Sequence, residues 1–178
     1  RIGTSGSVQA DIPVDSFVIS EKSIGCDGVL RFYANNESVC DHPFEEAFIR
    51  HCRWTPSAAR PYVVNADPGL VDRLYDEEHT IKGVTLTAVG FYGPQGRVLR
   101  LPLAMPGIND RITAFRYEGY KVTNYEMESA AITGLCNLLG HRAATICLII
   151  ANRINGDASA DYHSYMNKLI RYTLEKLS

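Results

Sequence analysis

Nine residues near the end of the chain, Ala143 to Ala151, read Ala-Ala-Thr-Ile-Cys-Leu-Ile-Ile-Ala without one charged side chain. So short and apolar a run has the character of a strand buried on both faces. The stretch before it supplies a helix. Apolar or small residues recur at Met127, Ala130, Ala131, Gly134, Leu135 and Leu138 with helical spacing, and Gly140 stands where a left-handed C-terminal cap belongs. Thr123 followed three residues later by Glu126 fits a capping box, so the spacing predicts a helix from about Asn124 to Leu139. Helix, short turn and buried strand together predict α/β architecture with crossover connections.

The remainder of the chain adds further elements. Phe17–Ser20 and Val29–Tyr33 are β-rich segments separated by a turn at Gly25-Cys26-Asp27-Gly28. Asp41-His42-Pro43 opens a short helix with an apolar stripe of Phe44, Ala47 and Phe48. Arg60 to Val64 reads as a strand. Asp67-Pro68 opens a second helix that turns Leu70, Val71, Leu74 and Tyr75 to the core and leaves Glu77 and Glu78 outside. Val84–Val89 is a further strand, Asn109–Lys121 a polar connection, and Ile154–Asp161 a small polar loop. Tyr162, Tyr165, Met166, Leu169, Ile170, Thr173 and Leu177 space a terminal amphipathic helix. No internal repeat or linker interrupts this order, so residues 1–178 form one domain.

Composition narrows the functional classes. A hydrophobic fraction of 46% and a charged fraction of 21% are those of a soluble globular domain, and 178 residues suffice for a sizeable core. A net charge of −2 gives no footprint for nucleic acid or an anionic membrane. No apolar run approaches the roughly 20 residues of a membrane span, and no signal-peptide pattern opens the sequence. Five scattered cysteines (Cys26, Cys40, Cys52, Cys136 and Cys147) lack a C-x-x-C pair and fit reduced thiols in a cytoplasm. The histidines show no metal-ligand spacing, so no metal is expected.

Three stretches carry chemistry. Glu126-Met127-Glu128 places two carboxylates and a thioether at a helix start, where the dipole favours ionised acids. A carboxylate there can accept two hydroxyl hydrogen bonds, which suits a ribose diol, with Met127 against the sugar's apolar face. Taken alone, the stretch reads more simply as a capped core helix with a solvated acidic first turn. Residues two apart on a regular helix diverge, so Glu128 is expected at the sugar, with Glu126 capping the helix or touching substrate only if the first turn is irregular. Phe91 to Arg97 follows a strand, the usual position for ligands in open α/β sheets. Phe91 can stack on a base, the Gln95 amide complements adjacent carbonyl and N–H groups, and Arg97 can stabilise negative charge. An exposed loop with a solvated Gln and Arg is the plain alternative. Arg1 to Gly6 reads as a strand end running into a glycine turn whose amides form an anion nest. There Arg1 and Thr4 supply further donors, though an ordinary surface turn reads the same way.

Asn-Tyr-Glu-Met-Glu-Ser-Ala at Asn124–Ala130, Gly140-His141-Arg142 and the strand ending in Asn152-Arg153 together resemble the nucleoside phosphorylases of the uridine phosphorylase type. Arg1–Gly6 and Phe91–Arg97 resemble that family in matching order. The resemblance implies a three-layer α/β/α fold around a central mixed sheet and reversible phosphorolysis of uridine to uracil and ribose 1-phosphate. It implies Arg1 and Thr4 at phosphate, Phe91, Gln95 and Arg97 at the pyrimidine, and Glu126, Met127, Glu128 and Arg153 among the substrate-binding residues. Arg97, Gln95 and Arg1 are then the catalytic residues. Inorganic phosphate is a co-substrate, and no cofactor is implied. Related purine enzymes carry an aspartate where this chain reads Asn152-Arg153, which favours uridine over purine nucleosides. A cytoplasmic homo-oligomer, typically a hexamer, is also implied. The family's N-terminal part, with a glycine loop and further arginines, has no counterpart before Arg1, so an N-terminally incomplete domain is expected. A purine nucleoside phosphorylase, a nucleosidase and a non-catalytic nucleoside-binding relative are the alternatives.

Overall fold

The computed structural model describes residues 1–178. In chain order it contains β1 (Ile2–Ser7), β2 (Phe17–Gly25), α1 (His42–Cys52), β3 (Tyr62–Asn65), α2 (Pro68–Leu74), β4 (Thr80–Thr87), α3 (Ile108–Ala114), β5 (Arg116–Tyr117), β6 (Tyr120–Glu126), α4 (Ser129–Leu138), β7 (Thr145–Asn152) and α5 (Tyr162–Leu177). The fold is α/β around a mixed sheet in the order β1-β7-β2-β4-β6-β5, with β3 on β2. β1 and β7, β2 and β4, and β4 and β6 run parallel, whereas β2 and β7 run antiparallel.

The ring is closed by β6, which returns to β1 through an antiparallel pairing at Gly6–Tyr125 and Ser7–Asn124. Beyond that pairing the two strands part. Thr4 and Ser5 then lie on one side of the gap and Glu126, Met127 and Glu128 on the other. This splayed sheet edge positions the site.

Packing follows from the amphipathic helices. α1 sets Phe44, Ala47 and Phe48 against Val84, Leu86 and Val122, together with Ile108 and Ile112 of α3. Phe44 lies edge-on to Phe115 and Tyr117 at centroid distances of 5.4 Å each. Fully burying such a ring stabilises by about 1.5–3 kcal/mol. α2 and α5 cover another part of the sheet through Val71, Leu74 and Leu169 on Ile19, Ile146 and Leu148. α4 buries Ala130 with Leu30, Tyr62 and Val64. Between these layers runs a buried polar row in which the Ser20 and Thr85 hydroxyls are 2.5 Å apart and Thr85 donates to Asn124 Oδ1 at 3.0 Å.

Tertiary pairing overrides several local expectations. The predicted helix from Asn124 begins only at Ser129, because Tyr120–Glu126 is captured as a strand by β4. Thr123 therefore caps nothing. Its hydroxyl donates to the Val84 carbonyl at 2.9 Å. Val29–Phe32 is a 3-10 helix rather than a strand. Asn109–Lys121 holds α3 and a hairpin whose turn residues, Glu118 and Gly119, have φ of 49° and 81°, the left-handed pair such turns require. Tyr75 is exposed, with the Lys82 ammonium 4.2 Å above its ring. The expected C-cap at Gly140 is present with φ 73°. Asp41 and Asp67 cap α1 and α2 by accepting from Phe44 N and Leu70 N.

Candidate active site

The site begins at the end of β6. Glu126 is buried, and its Oε1 accepts from Thr87 Oγ1 of β4 at 2.5 Å. Its Oε2 accepts from the backbone amides of Glu128 (2.9 Å) and Ser129 (2.8 Å) and lies 3.2 Å from Arg1 Nη2. Thr87 Oγ1 in turn accepts from Ala130 N at 2.9 Å. Glu126 is thus the anion that starts α4, although it stands on the strand and not in the helix. The helical-divergence reasoning for Glu126 and Glu128 does not apply, because no helical turn separates them. Both reach the same Arg1 nitrogen, Glu128 by a short ion pair. Their difference lies in exposure. The Glu126 carboxylate is 1% accessible and the Glu128 carboxylate 55%.

Arg1 crosses the gap between β1 and β6. Its Nη1 donates to Cys147 Sγ of β7 at 3.3 Å while Nη2 faces the two carboxylates. Burial alone lowers the guanidinium pKa, but Cys147, Glu126 and Glu128 outweigh it and hold the pKa above its ordinary value, so the cation persists. Gly3 makes the crossing possible, since a Cβ there would lie 2.8 Å from Arg1 Nη1. The expected amide nest is absent. Arg1 leads directly into β1, which pairs with β7 through a register shift between Ser5 and Gly6, and neither Gly3 nor Gly6 has positive φ. The glycines serve close approach instead, as Gly6 lies under the Arg153 side chain with its Cβ position 3.4 Å from Nε. Thr4 is half-buried on β1 beside the gap, opposite Leu148.

A second cluster flanks the same strand end. The loop after β4 makes a 3-10 turn at Gly93–Gln95. Gly96 has φ 70° and packs so closely on Asn109 that a Cβ would lie 2.4 Å from Nδ2. Asn109 donates to the Gln95 carbonyl at 3.2 Å and accepts from Tyr125 OH at 3.1 Å. This fixes Gln95, 3% exposed, with its side-chain oxygen receiving both Arg97 Nη1 (2.7 Å) and Arg153 Nη2. The amide nitrogen is left to donate outward. The Arg97 guanidinium lies 3.9 Å over the half-exposed Phe91 ring, and that of Arg153 lies 4.5 Å over Tyr125. Burial, then the charge of Arg97, lowers the Arg153 pKa to about 10, still cationic at neutral pH. Neither arginine has a carboxylate partner.

All three motifs therefore meet around the end of β6. Thr87, Asn109 and Tyr125 escape sequence reasoning because each acts by holding another residue. Asn152, buried at the end of β7, is fully used in the fold. It donates to the Gln9 and Ile12 carbonyls at 2.9 and 2.8 Å and accepts from Ile154 N and Asn155 N. Arg153 alone of that pair reaches the site. Met127 is half-exposed between the carboxylates. A cavity of about 990 Å³ lies beside the loop after β4, lined by Tyr92, Arg97, Trp54, Val89, Leu99 and Met105. No group of three or more His, Cys, Asp or Glu side chains is arranged to hold a metal ion.

The chain belongs to the family described as Phosphorylase superfamily, whose model matches residues 1–173. Among individual relatives, it is similar to the uridine phosphorylase of Thermococcus kodakarensis, 26% identical over 163 residues, covering 88% of this chain and 49% of the relative. It is also similar to the inactive uridine phosphorylase B of Schistosoma mansoni, 36% identical over 87 residues, 43% of this chain and 26% of the relative. A solved nucleoside phosphorylase of Trypanosoma brucei, described as showing uridine phosphorylase activity, shares the fold with a TM-score of 0.85 at 24% identity, over 99% of this chain and 62% of that one. The chain spans about half the length of the Thermococcus relative.

Proposed function

We propose that the protein catalyses reversible phosphorolysis of uridine, with phosphate displacing uracil from C1′ to give ribose 1-phosphate. The observation that carries this reading is the convergence of Arg97 and Arg153 on Gln95 without a carboxylate to neutralise them. Cleaving a bond to a nitrogen base builds negative charge on the base and positive charge on the sugar. Two preorganised cations at the base side stabilise the first, and that stabilisation grows toward the transition state. Gln95 and Phe91 bind the pyrimidine. Glu128, the open carboxylate, receives the ribose hydroxyls with Met127 against the sugar face. Phosphate enters beside Arg1 and Thr4 and faces the developing sugar cation.

Arg153 standing beyond β7, with no acid to protonate a purine ring, favours pyrimidine over purine nucleosides. The reading extends to inorganic phosphate as co-substrate without a further cofactor, and to a cytoplasmic homo-oligomer, a hexamer, acting in pyrimidine salvage. The test is uracil release from uridine by the protein, with and without phosphate, beside inosine as a control. Phosphate-dependent release supports phosphorolysis. Phosphate-independent release means hydrolysis, and cleavage of inosine alone overturns the pyrimidine reading. Similarity to an inactive relative keeps a non-catalytic nucleoside-binding role as the second reading. Calorimetric uridine binding without turnover identifies it.

A further inference from the structure

Arg1 is pulled in one direction by charge. Glu126 and Glu128 both face Nη2, and a guanidinium near two carboxylates gains most by turning its whole donor fork onto them. In that orientation its remaining N–H groups would be consumed within the protein and lost to an incoming anion. The structure shows a different arrangement. Nη1 is held from the other side by Cys147 Sγ at 3.3 Å, on the buried strand β7, and Gly3 leaves the space in which the guanidinium lies between them.

We propose that Cys147 is a positioning residue for phosphate use, a neutral acceptor that keeps the Arg1 fork from closing onto Glu126 and Glu128. The proposal rests on the reading of Arg1 as a phosphate-binding residue. A thiol suits this role better than a carboxylate. An acidic side chain at this position would hold Arg1 more strongly but would repel phosphate. Burial pushes the Cys147 thiol up to about 11, against the lowering influence of Arg1, so near neutral pH it adds no negative charge to the site. A sulfur is a weak acceptor, so it steadies the guanidinium without neutralising it.

The test compares Cys147→Ala, Cys147→Ser and the unaltered protein by steady-state kinetics, varying phosphate and uridine separately. Cys147→Ala is expected to raise the phosphate KM about three- to tenfold, the span of one ordinary hydrogen bond, with the uridine KM unchanged. Cys147→Ser restores an acceptor and returns the phosphate KM to within about twofold of the original. Equal behaviour of Ala and Ser, or parallel rises in both KM values, overturns the proposal. Nitrogen NMR of the Arg1 guanidinium tests the positioning apart from catalysis. Rotation about its Cζ–Nε bond should quicken several-fold in Cys147→Ala and not in Cys147→Ser, and unchanged rotation in both refutes the contact's role. If phosphate dependence is missing from the unaltered protein while the NMR contrast holds, it is the phosphate reading of Arg1 that fails.

Discussion

At the scale of single residues, the two carboxylates of Glu126-Met127-Glu128 have been assigned different work by exposure. Glu126 is buried under four contacts, so removing it strands the Thr87 hydroxyl and two backbone amides. Glu126→Ala is expected to cost about 2–3 kcal/mol, which lowers Tm by about 4–12 °C in a domain of this size. Glu128→Ala leaves Tm nearly unchanged and raises the uridine KM at least about tenfold, the loss of a charged hydrogen bond. Thermal unfolding and kinetics of the two variants check the division, and comparable Tm losses from both would refute it. Gly3 offers a second test. Because its φ is not positive, alanine suits the backbone, yet the added Cβ would meet the Arg1 guanidinium at 2.8 Å. Gly3→Ala should weaken phosphate use while circular dichroism shows the fold intact.

At the scale of elements, the contest between helix and strand over residues 120–126 is the instructive one. Thr123 and Glu126 carry a helix-start signature, but parallel pairing with β4 captures the heptapeptide as a strand whose last five residues are buried. The accommodation is tight at Gly83, where a Cβ would fall 2.2 Å from Thr123 Cγ2. Gly83→Ala should therefore destabilise more than an ordinary strand glycine substitution. Shortening the partner in Gly83→Ala/Thr123→Ser should recover part of the loss in urea midpoint, and no recovery would show that the clash is not the cause. The helix starts at Asp41 and Asp67 were legible because capping is a local event. Asp67→Ala, which frees Leu70 N, should cost about 1 kcal/mol by denaturant titration.

At the scale of the molecule, distant segments are tied by a few polar anchors, and one of them sets an acid limit. Asp76, between α2 and β4, takes His79 Nδ1 at 2.9 Å and Lys176 Nζ of α5 at 3.1 Å. His79 first, then Lys176, lowers its pKa to about 2. A carboxylate depressed in the folded state contributes stability that is complete above its ordinary value near 3.8, and that contribution is lost as pH falls toward 2. Asp76→Asn should therefore unfold at lower urea than the parent near neutral pH, and the two midpoints should converge by about pH 2. A gap that persists there would refute the linkage. The sequence by itself determined the α/β class, the buried strand β7, the helix caps and the residue types at the site, because alternation, capping and apolar runs act over a few neighbours. Tertiary structure alone decided that β6 is a strand, that five strands close into a ring, and that Gly3 and Gly6 serve close approach. It also decided that Glu126 is buried while Glu128 is open. Each of these depends on pairs far apart in the chain, such as Gly6–Tyr125 and Arg1–Glu126, whose energies exist only once the backbone has brought them together.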